Sequence, residues 1–244
     1  MIYTIAAEKG GTGKTATSAA LVQAAAYKGK KALAVDLDPR GDLSYILAAD
    51  ATQPGSYELL HGAPAADLVQ HSPQGLDVIT ASRALNAEAT SAGSARRLAA
   101  ALEPIRDSYD IIFIDTPANG NELQLNGLMA ADQLIIVLEA DRSSLQALYF
   151  MADTAAQIQG SNPKLKMCGA VVGRYTKGNA NINRYLLEQI EQTAAGLHIP
   201  FLGAARDSSD AKAALNMQQS LFDYAPRSTT AADYMRIYEA ITTK

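Results

Sequence analysis

The sequence predicts an α/β fold in which a doubly wound, mostly parallel sheet is flanked by helices. Apolar runs, often β-branched, alternate along the chain with alanine-rich amphipathic segments. Strands that are apolar along their whole length and joined by helical crossovers are typical of parallel sheets, which are buried on both faces. A glycine-rich stretch also follows the first apolar run directly. It lies where such sheets bind ligands, at the carboxyl end of a strand.

The order of the elements follows from these patterns. We expect strands at residues 2–7, 31–36, 76–81, 110–115, 133–138, 167–173 and near 198–203. We expect helices at residues 15–28, 94–106, 120–131, 143–159 and 180–195. The stretch 48–75 carries several proline and glycine residues and reads as an irregular surface excursion.

Composition indicates a single globular domain over residues 1–244. With 48% hydrophobic and 19% charged residues, the chain can bury a full core. No apolar run approaches the ~20 residues that span a bilayer, and we expect no leader peptide and a cytoplasmic location. The single cysteine, Cys168, lies in an apolar stretch, so we expect a buried core residue rather than a disulfide or a metal ligand.

The most informative motif is the run Lys9-Gly10-Gly11-Thr12-Gly13-Lys14-Thr15. It satisfies the P-loop pattern only in a displaced form, because position 8 holds glutamate where the leading glycine would stand. A second lysine, Lys9, precedes the Gly-Gly pair instead. This spacing is that of the deviant Walker A loop, and it predicts a P-loop NTPase fold.

Each residue type in the loop has a chemical role in binding a nucleotide. Glycines let backbone N–H groups curl around phosphate oxygens, and the following helix points its positive end at the same anion. Lys14 would neutralise the β- and γ-phosphates, and the Thr15 hydroxyl would help to hold Mg²⁺. The alternative, a glycine-rich turn without a ligand, does not explain why strand, loop and helix follow in this order.

Two acidic sites follow other strand ends. In Val35-Asp36-Leu37-Asp38-Pro39-Arg40-Gly41, Asp38 is a candidate to hold the attacking water or to contact the metal, whereas Asp36 looks structural. Asp115 ends the hydrophobic run 110–115, which is the Walker B arrangement for steadying Mg²⁺. An aspartate at a strand end can also merely cap the next helix. The P-loop upstream favours the metal role for Asp115.

Together the runs 9–15, 36–41 and 115–117 resemble the three motifs of the ParA/MinD family, and specifically ParA/Soj-type DNA-partition ATPases. The resemblance extends over nearly the whole chain, including Tyr57-Glu58-Leu59-Leu60 and Ala130-Ala131-Asp132. The segments around Arg206 and Asp207 and around Pro226 resemble those that line the adenine in relatives. The resemblance implies ATP and Mg²⁺ as cofactors, with Ala16 and the whole loop 9–15 at the nucleotide.

What the resemblance implies further is a slow molecular switch. In this family ATP closes a homodimer around two nucleotides, and the residue matching Lys9 reaches the partner's phosphates. The second aspartate of the Asp-x-Asp pair, here Asp38, positions the hydrolytic water, so Lys9, Lys14 and Asp38 are the candidate catalytic residues. Lys9 could instead be a solvated lysine at the edge of the loop. A ParB-like DNA-binding protein is the implied activator.

The chain departs from the family's pattern at three positions. Ala16 stands where relatives usually carry a second threonine near the α-phosphate, which removes a contact worth ~1 kcal/mol. Arg40 stands where glutamine is common, and Ala118 where a second proline often follows. Because Arg40 lies beside the catalytic candidate Asp38, we expect it to alter hydrolysis or nucleotide exchange.

Charge gives a weaker indication of a DNA cargo. The net charge of −4 argues against a general nucleic-acid binder, yet residues 160–244 carry +3 and residues 1–159 carry −7. A dimer doubles any basic patch, and a few phosphate contacts suffice for weak, salt-sensitive binding. The candidate DNA contacts are Arg174, Lys177, Arg184 and Lys212. Scattered solvated charges are the alternative reading.

Other functions of this fold remain as alternatives. A MinD-like protein would end in a basic amphipathic helix on the membrane, but residues 231–241 carry one basic residue, Arg236, so core packing explains their spacing better. An iron–sulfur ATPase needs bridging cysteines, and only Cys168 is present. An ATP-dependent synthetase of the cobyrinic acid a,c-diamide synthase type usually adds a cysteine-containing amidase module. An ATPase that positions a protein cargo fits the same motifs.

Overall fold

In the part of the chain that the structure describes, eight strands, numbered along the chain with the ranges given below, form one sheet in the order β3-β4-β2-β5-β1-β6-β7-β8. The computed structural model describes residues 1–90, 95–118, 120–176 and 180–243. Neighbouring strands run parallel except for the β3–β4 pair at one edge, which is antiparallel. The strands are β1 (Ile2–Ala6), β2 (Ala32–Asp36), β3 (Gln70–His71), β4 (Asp77–Ile79), β5 (Ile111–Asp115), β6 (Gln133–Leu138), β7 (Lys166–Tyr175) and β8 (Phe201–Arg206).

Helices connect the strands on both faces of the sheet. Those of the described residues are α1 (Lys14–Tyr27), α2 (Asp42–Ile46), α3 (Ser56–Leu60), α4 (Ala65–Leu68), α5 (Arg97–Leu102), α6 (Glu122–Ala130), α7 (Ser143–Gln159), α8 (Ala180–Gly196), α9 (Ser209–Asn216), α10 (Leu221–Tyr224) and α11 (Thr229–Thr242). Two 3₁₀ segments, Arg83–Thr90 and Glu103–Ser108, lie on either side of α5. Pro104 near the start of the second segment lacks the N–H that an α-helix would need there.

The core lies on both faces of the sheet, as the apolar runs predict. Every residue of β1, β2 and β5 is buried, and one large cluster packs α1, α10 and α11 against the sheet. Cys168 belongs to this cluster and is 5% exposed, which confirms the core assignment. Ala231, Tyr234 and Ile241 of α11 are buried in the same cluster, so their helical spacing does reflect core packing.

The predicted α/β class and the parallel sheet are confirmed, and two local predictions are corrected. The stretch 48–75 is not merely a surface excursion, because α3 and α4 bury Leu59, Leu60 and Leu68 in a second cluster. The last strand begins at Phe201 rather than near 198, since Pro200 precedes it and α8 continues to Gly196. Short helices with few periodic positions leave little signal in a sequence.

None of the helices in the described segments is long and apolar enough to cross a membrane.

Candidate functional site

The loop between β1 and α1 has the backbone of a phosphate cradle. Gly11 and Gly13 have φ values of +85° and +87°, which side-chain-bearing residues rarely adopt. A Cβ placed on Gly10 or Gly11 would meet no atom within 4 Å, so the space beside the loop is open. Helix α1 begins at Lys14 immediately after Gly13. The geometry therefore fits an anion held by backbone N–H groups at a helix N-terminus.

Lys14 and Thr15 converge on Asp115 at the end of β5. The Lys14 Nζ atom lies 2.9 Å from Oδ1 of Asp115, and the Thr15 hydroxyl donates to Oδ2 at 2.9 Å. A third donor, Ser18 one turn along α1, reaches Oδ1 at 2.6 Å. Sequence reasoning found the first three residues and missed Ser18, although an i, i+4 relation to Lys14 was available as a signal.

The convergence also identifies where Mg²⁺ would bind. Mg²⁺ usually takes one or two protein oxygen ligands and completes its shell with water and substrate phosphates. The Thr15 hydroxyl and the Asp115 carboxylate supply such oxygens side by side. Within the described ranges no group of three His, Cys, Asp or Glu side chains forms an all-protein metal cage. The residues present thus fit a metal held jointly with a nucleotide.

Asp36 supports this site from the neighbouring strand. It lies opposite Asp115 in the β2–β5 register, and its carboxylate accepts hydrogen bonds from the backbone N–H and the hydroxyl of Ser44 and from the N–H of Asp38. Burial, and then the nearby Asp115 carboxylate, raise the pKa of Asp36 to about 7. These contacts are structural in kind, because Asp36 fixes the loop that carries Asp38.

Asp38 is held by Arg40. The Arg40 Nε atom lies 3.3 Å from Oδ1 of Asp38, and a terminal nitrogen lies 3.2 Å from Oδ2. The backbone N–H of Arg40 also donates to Oδ1 at 3.1 Å. The Asp38 side chain is 6% exposed, whereas that of Arg40 is 64% exposed. The two residues therefore form a fork-like ion pair at the rim of the site.

Lys9 is held by its own chain at the start of α7. Its Nζ atom hydrogen-bonds the Ser143 hydroxyl and lies 3.9 Å from Oδ2 of Asp141. Asp141 also accepts hydrogen bonds from the hydroxyls of Ser143 and Ser144. Burial acts to raise the pKa of Asp141, but these hydrogen bonds outweigh it and hold the pKa below its ordinary value. Sequence reasoning did not identify Asp141 as a partner of Lys9.

Gly173 and Arg174 at the end of β7 close one side of the loop. The Arg174 guanidinium donates to the carbonyl oxygen of Gly11 at 3.1 Å. Gly173 packs so closely that a Cβ on it would stand 2.4 Å from the carbonyl oxygen of Thr12. The sequence singled out Arg174 as a DNA contact. The structure places its guanidinium on the backbone of the phosphate-binding loop.

A cavity of about 250 Å³ opens beside the start of α1. Its lining is mainly apolar and includes Ala16, Leu215 and Tyr234, which suits the faces of a planar base. Arg206 and Asp207, expected near the adenine, both line it. Pro226 lies exposed between α10 and α11 and does not line this cavity.

Arg206 and Asp207 at the cavity already have partners. The Arg206 guanidinium makes two hydrogen bonds of 2.7 Å to the carboxylate of Asp233. Asp207 lies 2.7 Å from the ammonium of Lys212. The guanidinium of Arg206 is therefore already engaged within the chain.

The three DNA candidates among the described residues each contact another group of the chain. Arg174 contacts the P-loop, and Lys212 pairs with Asp207. Arg184 lies 3.8 Å from Glu188 on the surface of α8. Lys177 lies outside the described residues. Each positive charge that the structure describes on α8 or α9 thus has a carboxylate beside it.

A glycine-rich loop between a parallel strand and a helix, with Lys14 and Asp115 paired beneath it, defines a P-loop nucleotide-binding protein. The AAA domain family model matches residues 1–167. The chromosome-partitioning ATPase Soj of Thermus thermophilus is 30% identical over 242 residues, which is 97% of this chain and 93% of Soj. This chain belongs to the ParA/MinD family of P-loop ATPases, as the three sequence motifs predict.

Solved structures agree with the fold. Apo McdA from Cyanothece superposes with a TM-score of 0.86 at 21% identity, covering 99% of this chain and 98% of McdA. Cobyrinic acid a,c-diamide synthase from Mycobacterium smegmatis, solved with ADP and magnesium, gives a TM-score of 0.75 at 27% identity, covering 89% of this chain and 92% of the synthase. Nucleotide and magnesium binding therefore occurs on this fold.

Proposed function

We propose that this protein is a Mg²⁺-dependent ATPase that dimerises with ATP, binds DNA non-specifically in that state and drives DNA partition. The observation that carries the proposal is the buried pair of Lys14 and Asp115 beneath the loop that also carries Lys9, in a chain that aligns with Soj over 97% of its length. Asp38 follows β2, the strand that pairs with β5. The proposal includes a single domain, a cytoplasmic, nucleoid-associated location and a ParB-like activator.

The buried lysine would bind the nucleotide. Lys14 is 6% exposed and carries its charge at the floor of the loop, so phosphate oxygens entering the cradle would meet it together with the N–H groups of residues 10–15. Mg²⁺, held by Thr15 and Asp115, would neutralise charge on the β- and γ-phosphates. Ala16 and the adjoining apolar cavity would receive the base side of the nucleotide.

The exposed lysine would complete the site in trans. The side chain of Lys9 is 42% exposed and is held by a surface pair with Asp141, and such pairs are worth only ~0–1 kcal/mol. It can therefore leave Asp141 at little cost and reach an anion on a second subunit. A cation supplied in trans offsets the charge that develops during phosphoryl transfer, as an arginine finger does.

Asp38 would orient the hydrolytic water. It follows β2 at the carboxyl end of the sheet, where Asp115 ends the neighbouring strand β5. Asp36 holds this loop in place by accepting the backbone N–H of Asp38. A carboxylate that positions water must have a lone pair free to accept a hydrogen bond, and here the Arg40 guanidinium already donates to both oxygens. We therefore expect slow hydrolysis by the isolated protein. We expect Asp38→Ala to bind ATP and stall hydrolysis.

An ATPase that positions a protein assembly, as a McdA- or MinD-like protein, is the second candidate. The observation in its favour is that Arg184 and Lys212 are each paired with a carboxylate, in a chain of net charge −4. Both functions use the same ATP switch and differ only in the cargo. A synthetase of the cobyrinic acid a,c-diamide synthase type is the least favoured, since the chain carries one cysteine, and that residue is buried.

Retention on non-specific double-stranded DNA distinguishes the two cargoes. The protein is applied with Mg²⁺ and ATP or ADP over a salt series, because phosphate contacts make affinity fall steeply with salt. Arg184→Glu and Lys212→Glu test the candidate surface. Lys28→Glu, at the far end of α1 in a surface pair with Glu239, is the matched control. Retention that requires ATP and is lost in the first two variants supports partition. If the protein is not retained with either nucleotide, the result supports a protein assembly as the cargo.

A further inference from the structure

We propose that Arg40 is a positioning residue that holds Asp38 away from the hydrolytic water and so limits basal turnover. This inference rests on the proposed role of Asp38 in hydrolysis. It is carried by a juxtaposition that the sequence alone did not give: a guanidinium that forms two nearly equal hydrogen bonds, 3.3 and 3.2 Å, to the two oxygens of the candidate carboxylate.

The fork geometry occupies the carboxylate. The hydrogen bonds that described residues make to the side chain of Asp38 all come from Arg40, two from the guanidinium and one from the backbone N–H. The carboxylate is otherwise enclosed, since its side chain is 6% exposed. Oδ1 already accepts two of these hydrogen bonds and Oδ2 accepts one. A water held by this carboxylate must therefore displace a donor from Oδ1 or share Oδ2 with the guanidinium.

The ion pair between Arg40 and Asp38 can break and form again at a small cost in free energy. The Arg40 side chain is 64% exposed, and ion pairs with an exposed partner are weak. The loop beneath the pair is fixed separately, because Asp36 accepts the N–H of Asp38 and both donors of Ser44. Rotation of the Arg40 side chain thus removes the two guanidinium hydrogen bonds from Asp38. The loop itself does not have to unfold.

A second acceptor lies within reach of the same arginine. A terminal nitrogen of Arg40 is 3.5 Å from Oδ2 of Asp42, the first residue of α2. The side chain of Asp42 is 52% exposed, so it stays hydrated when Arg40 is engaged with Asp38. The same terminal nitrogen contacts Asp38 at 3.2 Å, so Arg40 bridges two carboxylates, one at the site and one outside it. The share of time that it spends on Asp42 sets how often Asp38 is available.

This arrangement gives opposite effects for two neighbouring substitutions. Arg40→Gln removes the fork and raises kcat for ATP hydrolysis by roughly twofold to fivefold, the range that a weak ion pair supplies. Asp42→Asn removes the outer acceptor, leaves Arg40 on Asp38 and lowers kcat. Arg40→Lys keeps the charge without the planar fork and gives an intermediate rate. A merely structural role for the loop would lower kcat in all three variants.

The experiment measures steady-state hydrolysis at saturating Mg-ATP, at several protein concentrations, so that changes in kcat are separated from changes in KM and in self-association. Arg83→Gln is the control for loss of one exposed arginine, because Arg83 lies on the surface of a 3₁₀ segment. Asp38→Asn and the double variant Arg40→Gln/Asp38→Asn complete a cycle. We expect Arg40→Gln to have no effect once Asp38 is replaced.

Each outcome is decisive. If Asp38→Asn hydrolyses ATP at the normal rate, the proposed role of Asp38 fails and the Arg40 proposal fails with it. If Asp38→Asn stalls but Arg40→Gln leaves kcat unchanged or lowers it, the proposed function stands and the Arg40 proposal is overturned. An increase by Arg40→Gln that persists in the Asp38→Asn background also overturns it, because Arg40 would then act by another route.

Discussion

Lys14 and Asp115 form a buried ion pair under the phosphate-binding loop. The two charged atoms lie 2.9 Å apart, and the side chains are 6% and 0% exposed. Thr15 and Ser18 complete the hydrogen bonding of the carboxylate. Without a nucleotide, the lysine charge is therefore balanced within the chain. If the chain binds Mg-ATP as proposed, phosphate oxygens would compete with Asp115 for Lys14, and Asp115 would be available to help hold Mg²⁺.

Two variants at Lys14 should distinguish its effect on the free energy of unfolding from its effect on ATP binding. We expect Lys14→Met to abolish tight ATP binding and to lower the free energy of unfolding by about 3 kcal/mol, because Asp115 is left as a buried charge without its cation. The double variant Lys14→Met/Asp115→Asn should regain stability, since neutral groups of similar volume replace the pair, yet still not bind ATP. Chemical denaturation and nucleotide titration measure the two quantities. Tight ATP binding by Lys14→Met would overturn the P-loop assignment.

Gly173 should be intolerant of the smallest side chain. A Cβ at this position would stand 2.4 Å from the carbonyl oxygen of Thr12, which is backbone and can move only with the loop. We expect Gly173→Ala to weaken ATP binding by about tenfold or more, equivalent to ~1.4 kcal/mol. Gly196→Ala is the control, because a Cβ there meets no atom within 4 Å. Equal affinity in both variants would show that the loop does not depend on β7.

The Arg206–Asp233 pair should make the free energy of unfolding fall at acidic pH. Burial acts to raise the pKa of Asp233, but hydrogen bonds from Arg206 outweigh it, and the pKa is below its ordinary value in the folded protein. Its contribution is therefore complete above the unfolded-state pKa of about 3.9. It is lost as the pH falls through the lower folded-state value.

Asp233→Asn removes this contribution. We expect the variant to be less stable by roughly 1–3 kcal/mol at neutral pH, because a charge-assisted double hydrogen bond is replaced by a neutral one. The difference from the unsubstituted protein should shrink as the pH is lowered below about 4. Thermal unfolding over a pH series measures it, with Asp223→Asn on the exposed surface of α10 as the control. A pH-independent difference would contradict the role of the Asp233 charge.

The sequence predicts the parts of the site that lie within continuous motifs. Lys14, Thr15 and Asp115 follow strand ends, and parallel strands bring their carboxyl ends to one edge, so their meeting was foreseeable. Contacts between segments that are far apart in the chain leave no motif in the sequence. The approach of Gly173 to the P-loop and the partnership of Lys9 with Asp141 depend on how the ends of β6 and β7 pack beside β1, and that packing is a property of the folded sheet.

Charge was the least informative feature. Counting basic residues placed Arg174, Arg184 and Lys212 in one group, but each interacts with a different neighbour in the folded chain. The same limit applies to Arg40, whose sequence position beside Asp38 suggested an influence on hydrolysis without giving its direction. Only the side-chain geometry identifies it as a partner of that carboxylate.

Lys9 should be needed for association rather than for nucleotide binding. Its side chain is 42% exposed and is paired only at the surface, so Lys9→Ala should leave ATP affinity of the monomer within about twofold, as for a weak exposed pair. The same substitution should prevent ATP-dependent dimerisation, because the phosphates of each subunit lose the cation that the other supplies. Lys30→Ala, an exposed lysine after α1, is the matched control.

The mass of the Asp38→Ala variant in solution tests the central claim most directly. Asp38→Ala is used because stalled hydrolysis preserves the ATP state during light scattering. We expect twice the monomer mass with Mg²⁺ and ATP, the monomer mass with ADP, and the monomer mass with either nucleotide once Lys9→Ala is added. A monomer with both nucleotides, or a dimer that forms equally with ADP or without Lys9, would contradict an ATP-dependent dimer switch.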